Sequence, residues 1–252
     1  MTTEPPADPR YYLYAIADAT APIHYPGLGI NGGVVYTIAF GAVAAVVSDI
    51  AEQRIRPERK HLSVHHAVTK RMMEDTTVLP VSFGTIADSA KALSGIIKIN
   101  RKTFVEQLDR VRGKVEMGLR VMLDVPNIFE YLVSRHQELA DLRDEIRGKP
   151  HGPNQNDKIE LGRRFDQLLT QDREHHTETV LAVLGPHCVE IKQNPVHEER
   201  DVMHLACLVD RGAQKDFEDG VFEAASKFDN NFSFDFNGPW APHNFVSISL
   251  SA

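Results

Sequence analysis

The sequence is short of cysteine, of positive charge and of long apolar runs, and each shortage removes a class of protein. It holds 2 cysteines in 252 residues, Cys188 and Cys207. That is too few for a disulfide scaffold and fits a reducing compartment. Lysine and arginine number 28 against 35 aspartate and glutamate, for a net charge of −7. Nucleic acid and anionic lipid surfaces are held through basic patches, so neither nucleic acid nor a lipid membrane is expected as a partner. The longest nearly apolar run, Ile38 to Val47, is broken by Gly41 and falls far short of the ~20 residues of a membrane span. The first ten residues carry prolines and charges and no apolar stretch, which predicts no signal peptide and a cytoplasmic protein.

What is present is globular composition, 42% hydrophobic and 25% charged, enough to bury a core. Residues 1–10 read as a disordered arm. Tyr11 to Ile16 is aromatic and β-branched enough for a strand. A Gly/Pro loop spans Pro22 to Gly33, and Val34–Phe40 with Val43–Val47 predicts a hairpin at Gly41. Pro57 opens a helix whose His61, Val64, His65, Val68 and Met72 share one face. Val78 to Phe83 is a short strand, Gly84-Thr85 a turn, and Asp88 or Ser89 a cap for a helix carrying Leu93, Ile97, Phe104, Leu108 and Val111.

From Lys114 the period becomes that of a strand, with Val115, Met117, Leu119, Val121 and Leu123 alternating. Pro126 starts helix running to about Arg147, and Gly148 to Asp157 reads as a mobile loop. A long helix runs from about Lys158 to the Gly185-Pro186 stop. Strands follow around His187–Gln193 and Val202–Asp210, then a helix with Phe217, Val221 and Ala224. Phe232, Phe234 and Phe236 mark a strand, and Val246, Ile248 and Leu250 a tail strand. The fold class is therefore α+β in two domains. Residues 1–112 form a small α+β domain. Residues 113–252 follow the ferredoxin-like order βαββαβ, modified by an extra helix and the tail strand.

The candidate chemistry is thin. Gly27, Gly29 and Gly32 match G-x-G-x-x-G, but a strand follows instead of the helix a phosphate cradle needs. His61 and His65 have the i, i+4 spacing of a zinc pair. A metal-dependent hydrolase is the alternative they raise. The position after the first histidine, where such a hydrolase carries its general base, is Leu62, and the shared apolar face favours a structural pair. Cys188 and Cys207 lie in consecutive strands and can approach in a hairpin, without completing a tetrahedral metal site. Trp240 can anchor a partner or plug its own core. No nucleophile, base and orienting group assemble, so no catalytic residue, metal or cofactor is expected. A ligand-binding regulatory protein is the other alternative, since the ferredoxin-like fold hosts many functions.

Five strings, in order, resemble the gas vesicle protein family GvpL/GvpF. They are Tyr12-Leu13-Tyr14-Ala15-Ile16, Val78 to Thr85, Lys114-Val115-Glu116-Met117-Gly118, Leu205 through Leu208-Val209-Asp210 to Phe217, and Gly238-Pro239-Trp240 with Phe245-Val246. Ser82, Ala241 and His243 depart from the pattern, which carries Arg, Pro and Tyr there. The resemblance implies a two-domain α+β protein without enzymatic activity, located at gas vesicles. It would be a minor structural component or assembly factor that binds the hydrophobic shell protein and other gas vesicle accessory proteins. The motif positions carried over, as structural or interface residues, are Tyr14, Leu79, Pro80, Phe83, Gly84, Thr85, Glu116, Gly238, Pro239 and Trp240.

Overall fold

The computed structural model describes residues 9–19 and 22–248. The expected arm over 1–10 thus lies almost wholly outside the described residues, and Arg10 already opens the first strand. In chain order the elements are β1 (Arg10–Asp18), β2 (His24–Tyr25), β3 (Val35–Phe40), β4 (Val43–Ile50), α1 (Arg59–Asp75), β5 (Val78–Pro80), β6 (Ile86–Ala87) and α2 (Ala90–Val111). They continue as β7 (Lys114–Leu123), α3 (Ile128–Arg135), α4 (Gln137–Arg147), α5 (Gln155–Leu184), β8 (Glu190–Asn194), β9 (Asp201–Asp210), α6 (Gln214–Ala225) and β10 (Phe232–Trp240). The class is mixed helix and sheet with two antiparallel sheets.

Two compact units divide the chain: Met1–Glu116 with Pro239–Ala252, and Met117–Gly238. The segment after Gly238 thus groups with the first unit, where the sequence placed it in a domain 113–252. The reason is local. Ala241 and Phe245 are buried, and residues of α2 and β7 bind the backbone and side chain around them.

In the first unit the sheet order is β2-β3-β4-β1-β5, with β6 also on β1. β1 is its axis, and every residue from Tyr11 to Ala17 is buried, which is why the strand is apolar or aromatic on both faces. β4 pairs along one side of it in antiparallel register from Arg10↔Ile50 to Asp18↔Val43, with an irregularity at Tyr14. β5 and β6 share the other side, Ala17↔Val78 at one end and Tyr11↔Ala87 at the other. β3 and β4 form the expected hairpin, with Phe40 opposite Val43. Its two-residue turn begins at Gly41 with φ 75°, where a left-handed residue matches the strand twist. Ser89 caps α2, its hydroxyl accepting from the Ala92 N–H.

In the second unit the sheet order is β10-β7-β9-β8, and β8 and β9 pair antiparallel from Glu190↔Leu208 to Asn194↔His204. Arg120 of β7 reaches the buried Asp201 of β9 at 2.6 and 2.8 Å. Two expectations change here. The helix read from Pro126 to Arg147 breaks at His136, whose φ is −122° and whose ring meets Asp172 of α5 at 2.9 Å. The long helix begins inside the stretch taken for a mobile loop. Asn154 and Asp157 cap it reciprocally, at 3.0 and 2.9 Å, and Lys149 reaches Asp157 at 2.7 Å; a capping box satisfies the first-turn donors. The tail differs too. β10 runs through Gly238-Pro239-Trp240, His243–Phe245 is a single 3-10 turn, and 246–248 are not strand. Leu250 lies outside the described residues.

Candidate functional site

The signature run Val78 to Thr85 leaves β1 and returns to it. Val78 to Pro80 pair with β1, and the Val81 N–H still donates to the Tyr14 carbonyl at 3.1 Å. The chain then bulges outward, and β1 is regained where the Leu13 N–H donates to the Thr85 carbonyl at 2.9 Å. A bulge re-aims backbone groups that a regular ladder would consume. Here it aims them at two side chains. The Val81 carbonyl faces His65 Nε2 at 3.0 Å, and the Gly84 N–H donates to the Tyr12 hydroxyl at 3.2 Å.

His65 and Tyr12 complete the network, Nδ1 to hydroxyl at 2.9 Å. The proton positions follow by elimination. A carbonyl only accepts, so Nε2 carries the hydrogen, Nδ1 accepts, and the Tyr12 hydroxyl donates to it. Every polar atom of the trio is matched. Burial pushes the His65 imidazole down to about 4, against the opposing effect of its bond to Val81. Burial also pushes the Tyr12 phenol up to about 12. Both enclosed, the histidine and the tyrosine stay neutral near pH 7 and lock a shape.

A second network lies beside the first. Tyr14, whose ring is 4.7 Å from that of Tyr12, donates to Ser48 at 3.1 Å and accepts from the Ile30 N–H at 2.8 Å. Ser48 passes the bond to the Val34 carbonyl at 2.7 Å. This is the fate of the glycine-rich string. Ile30 donates to Tyr14, Gly29 to the Gly33 carbonyl, and Gly32 to the Gly29 carbonyl. Donors spent internally are not offered to a phosphate. Gly29 is there for closeness: a Cβ would sit 2.4 Å from Ser48 Oγ.

The remaining motif positions also find structural work. Leu79 and Pro80 are buried in β5. Phe83 sets its ring edge-on to Tyr12 and His65, at 6.0 and 5.8 Å. Gly84 needs its φ of 84° rather than space, since nothing lies within 4 Å of a Cβ there. Thr85 closes the bulge by donating through Oγ1 to the Ser82 carbonyl at 2.8 Å. Ser82, the departure from the family pattern, points outward and is exposed.

Glu116 holds the returning tail. Its two oxygens accept from the Asn244 N–H at 2.8 Å and the Asn244 amide at 2.6 Å. Arg110 donates to the Phe245 carbonyl at 3.1 Å. Phe245 is the buried plug. Trp240 remains 37% exposed, with Lys70 Nζ 5.3 Å from its ring centre, a cation–π distance. Gly238 has a φ of 131°, a value that glycine tolerates, and Pro239 follows it in β10. His243 rests on His66 at 5.6 Å between ring centres.

His61 and His65 do not form a ligand pair. Both nitrogens of His65 are engaged inside the core, and His61 Nδ1 meets the Arg56 carbonyl at 3.0 Å. A bond from Cys207 holds the Cys188 thiol below its usual range, so the two side chains are neighbours. Three residues escaped the sequence reading, Tyr12 as the hub, Ser48 and Asn244, and Phe245 was named only within a family string. Tyr12 and Tyr14 alternate on one strand and so share a face, and Ser48 interrupts an apolar strand. Those were the available signals. The partners of Asn244 are distant in sequence and left none.

The family model described as gas vesicle synthesis protein GvpL/GvpF matches residues 10–247. Gas vesicle protein F of Haloferax mediterranei is 25% identical over 223 residues, covering 86% of this chain and 84% of that one. Gas vesicle protein F of a Streptomyces species is 25% identical, covering 93% and 98%, and gas vesicle protein L of the same species is 26% identical, covering 96% and 94%. The crystal structure of GvpF from an Anabaena species superposes with a TM-score of 0.85 at 21% identity, over 96% of this chain and all of that one. GvpF from Microcystis aeruginosa gives 0.80 at 18% identity, over 95% and 99%. These two establish likeness of fold.

Proposed function

Because the chain belongs to the gas vesicle synthesis protein GvpL/GvpF family, we propose that it is a non-enzymatic accessory protein of gas vesicle formation. In this reading it is a minor structural component or assembly factor that binds the hydrophobic shell protein, in the cytoplasm and at the vesicle. The observation that carries the reading is the family match along 10–247. The placement of the motif residues supports it. Tyr14, Phe83, Gly84, Thr85 and Glu116 spend their polar and aromatic groups on neighbouring side chains or on the backbone, so what they preserve is a folded surface. A shell subunit with an apolar gas-facing side needs such a partner before it enters the wall. An acidic chain of net charge −7 stays soluble while it does so.

The fold detail belongs to the same proposal. The order β10-β7-β9-β8 supports a ferredoxin-like second domain, with α3 and α4 as the added helical segment. Co-purification of the shell protein with this chain is the test, alongside deletion of its gene. The reading expects the shell protein to be retained and vesicles to be lost or malformed. A shell protein that does not bind, together with normal vesicles after deletion, overturns it.

A further inference from the structure

We propose that Cys188 and Cys207 form an oxidisable dithiol that closes to an intrachain disulfide under hydrogen peroxide and pins the edge strand β8 to β9. This concerns the second unit alone and does not depend on the gas vesicle reading.

The placement comes from the sheet. Cys207 sits in β9 opposite Ile191 of β8. Just before β8 the Val189 N–H donates to the Leu208 carbonyl at 2.8 Å, one residue off the regular ladder. That offset sets Cys188, which directly precedes Val189, across from Val209 and on the sheet face that Cys207 shares two residues along β9. The two sulfurs hydrogen-bond to one another and are not joined by a disulfide.

The two cysteines differ in access, as an attacking and a resolving thiol must. Cys188 is half-buried and Cys207 buried. Cys188 lines a cleft of about 190 Å³ between Pro186 and Ala213, many times the ~30 Å³ share of one water and so open to peroxide. The bond from Cys207 holds the Cys188 thiol below its usual range, and the thiolate is the reactive form. In the first step the Cys188 sulfur attacks one peroxide oxygen, giving a sulfenic acid and one water. In the second the Cys207 sulfur displaces that hydroxyl, forming the S–S bond and a second water. Two thiols lose two protons and two electrons, and peroxide takes them up.

The consequence falls on an edge. Among the described residues β8 is hydrogen-bonded to a single neighbour, and such strands open most readily. A crosslink at its start removes that opening.

The test is peroxide titration of the folded full chain, read by intact mass and peptide mapping. Wild type should lose the mass of two hydrogens, yield a peptide joining Cys188 to Cys207, and show slower amide exchange along β8, all reversed by dithiothreitol. Cys207→Ser should instead gain oxygen at Cys188, while Cys188→Ser should leave Cys207 reduced. Oxygen adducts on wild-type Cys188 with Cys207 still a thiol overturn the proposal. So do two thiols that survive excess peroxide, or a disulfide between chains. The wild-type map alone decides if a serine variant does not fold.

Discussion

The enclosed His65 makes the first unit sensitive to mild acid, and the size of the effect follows from its environment. The imidazole has an ordinary value of 6.5 and is held down to about 4 in the fold. The unfolded chain therefore binds the proton first. Its contribution to stability is complete above about pH 6.5 and drains as pH falls toward 4. Between about pH 7.5 and pH 5 the loss from this one group is about 2 kcal/mol. Replacing it with a residue that keeps a donor and an acceptor but does not titrate, His65→Gln, should remove that slope while lowering the starting stability. Trp240 is the only tryptophan and groups with the first unit, so urea unfolding followed by its fluorescence reports this unit. The carboxylates and the other histidines contribute equally to both proteins. The difference in pH slope isolates His65. Parallel curves for wild type and His65→Gln would refute the network drawn around it.

Three further outcomes follow from single contacts. Gly29→Ala drives a methyl to 2.4 Å from Ser48 Oγ and 2.9 Å from the Gly33 carbonyl; it should cost roughly 1–3 kcal/mol, the range of overpacked cores, in thermal or urea unfolding. Glu116→Gln turns one of the two acceptors facing Asn244 into a donor. Loss of a charge-assisted pair of bonds should cost about 2 kcal/mol, visible as faster exchange and proteolysis after Trp240 with the second unit's exchange unchanged. Asn154→Ala deletes half of the reciprocal cap of α5 and should cost about 1 kcal/mol, read as faster exchange over the first turn of that helix alone.

Local patterns were legible where neighbours in sequence decide the structure. The Gly41 hairpin, the Ser89 cap, the His65–Val68–Met72 face and the alternating strand from Lys114 could all be read because period and turn chemistry are local. The break at His136 was not legible, because it depends on Asp172, which lies 36 residues away. The start of α5 was hidden by composition: Gly, Pro and Asn suggest a loop, yet Asn154 and Asp157 are the residues that begin a helix. The tail was read as a strand from the alternation of Val246, Ile248 and Leu250, but Glu116 and Arg110 bind the segment just before it and the plug at Phe245 takes over. In the candidate site, the family string singled out Phe83, Gly84 and Thr85, while Tyr12 was missed as the hub. Its importance rests on a histidine and a backbone amide that only the folded sheet brings to it.

The first unit is interrupted in sequence, since Met117–Gly238 lies between its two pieces. During synthesis β1 to α2 emerge early, with the site that Phe245 fills still open. Only when the chain has been made past Phe245 can Glu116 and Arg110 take hold of it. A product cut short after Gly238 would leave Arg110 and Glu116 without the segment they bind in the finished chain. The late arrival of the plug thus couples the soundness of the oldest part of the molecule to the completion of its newest.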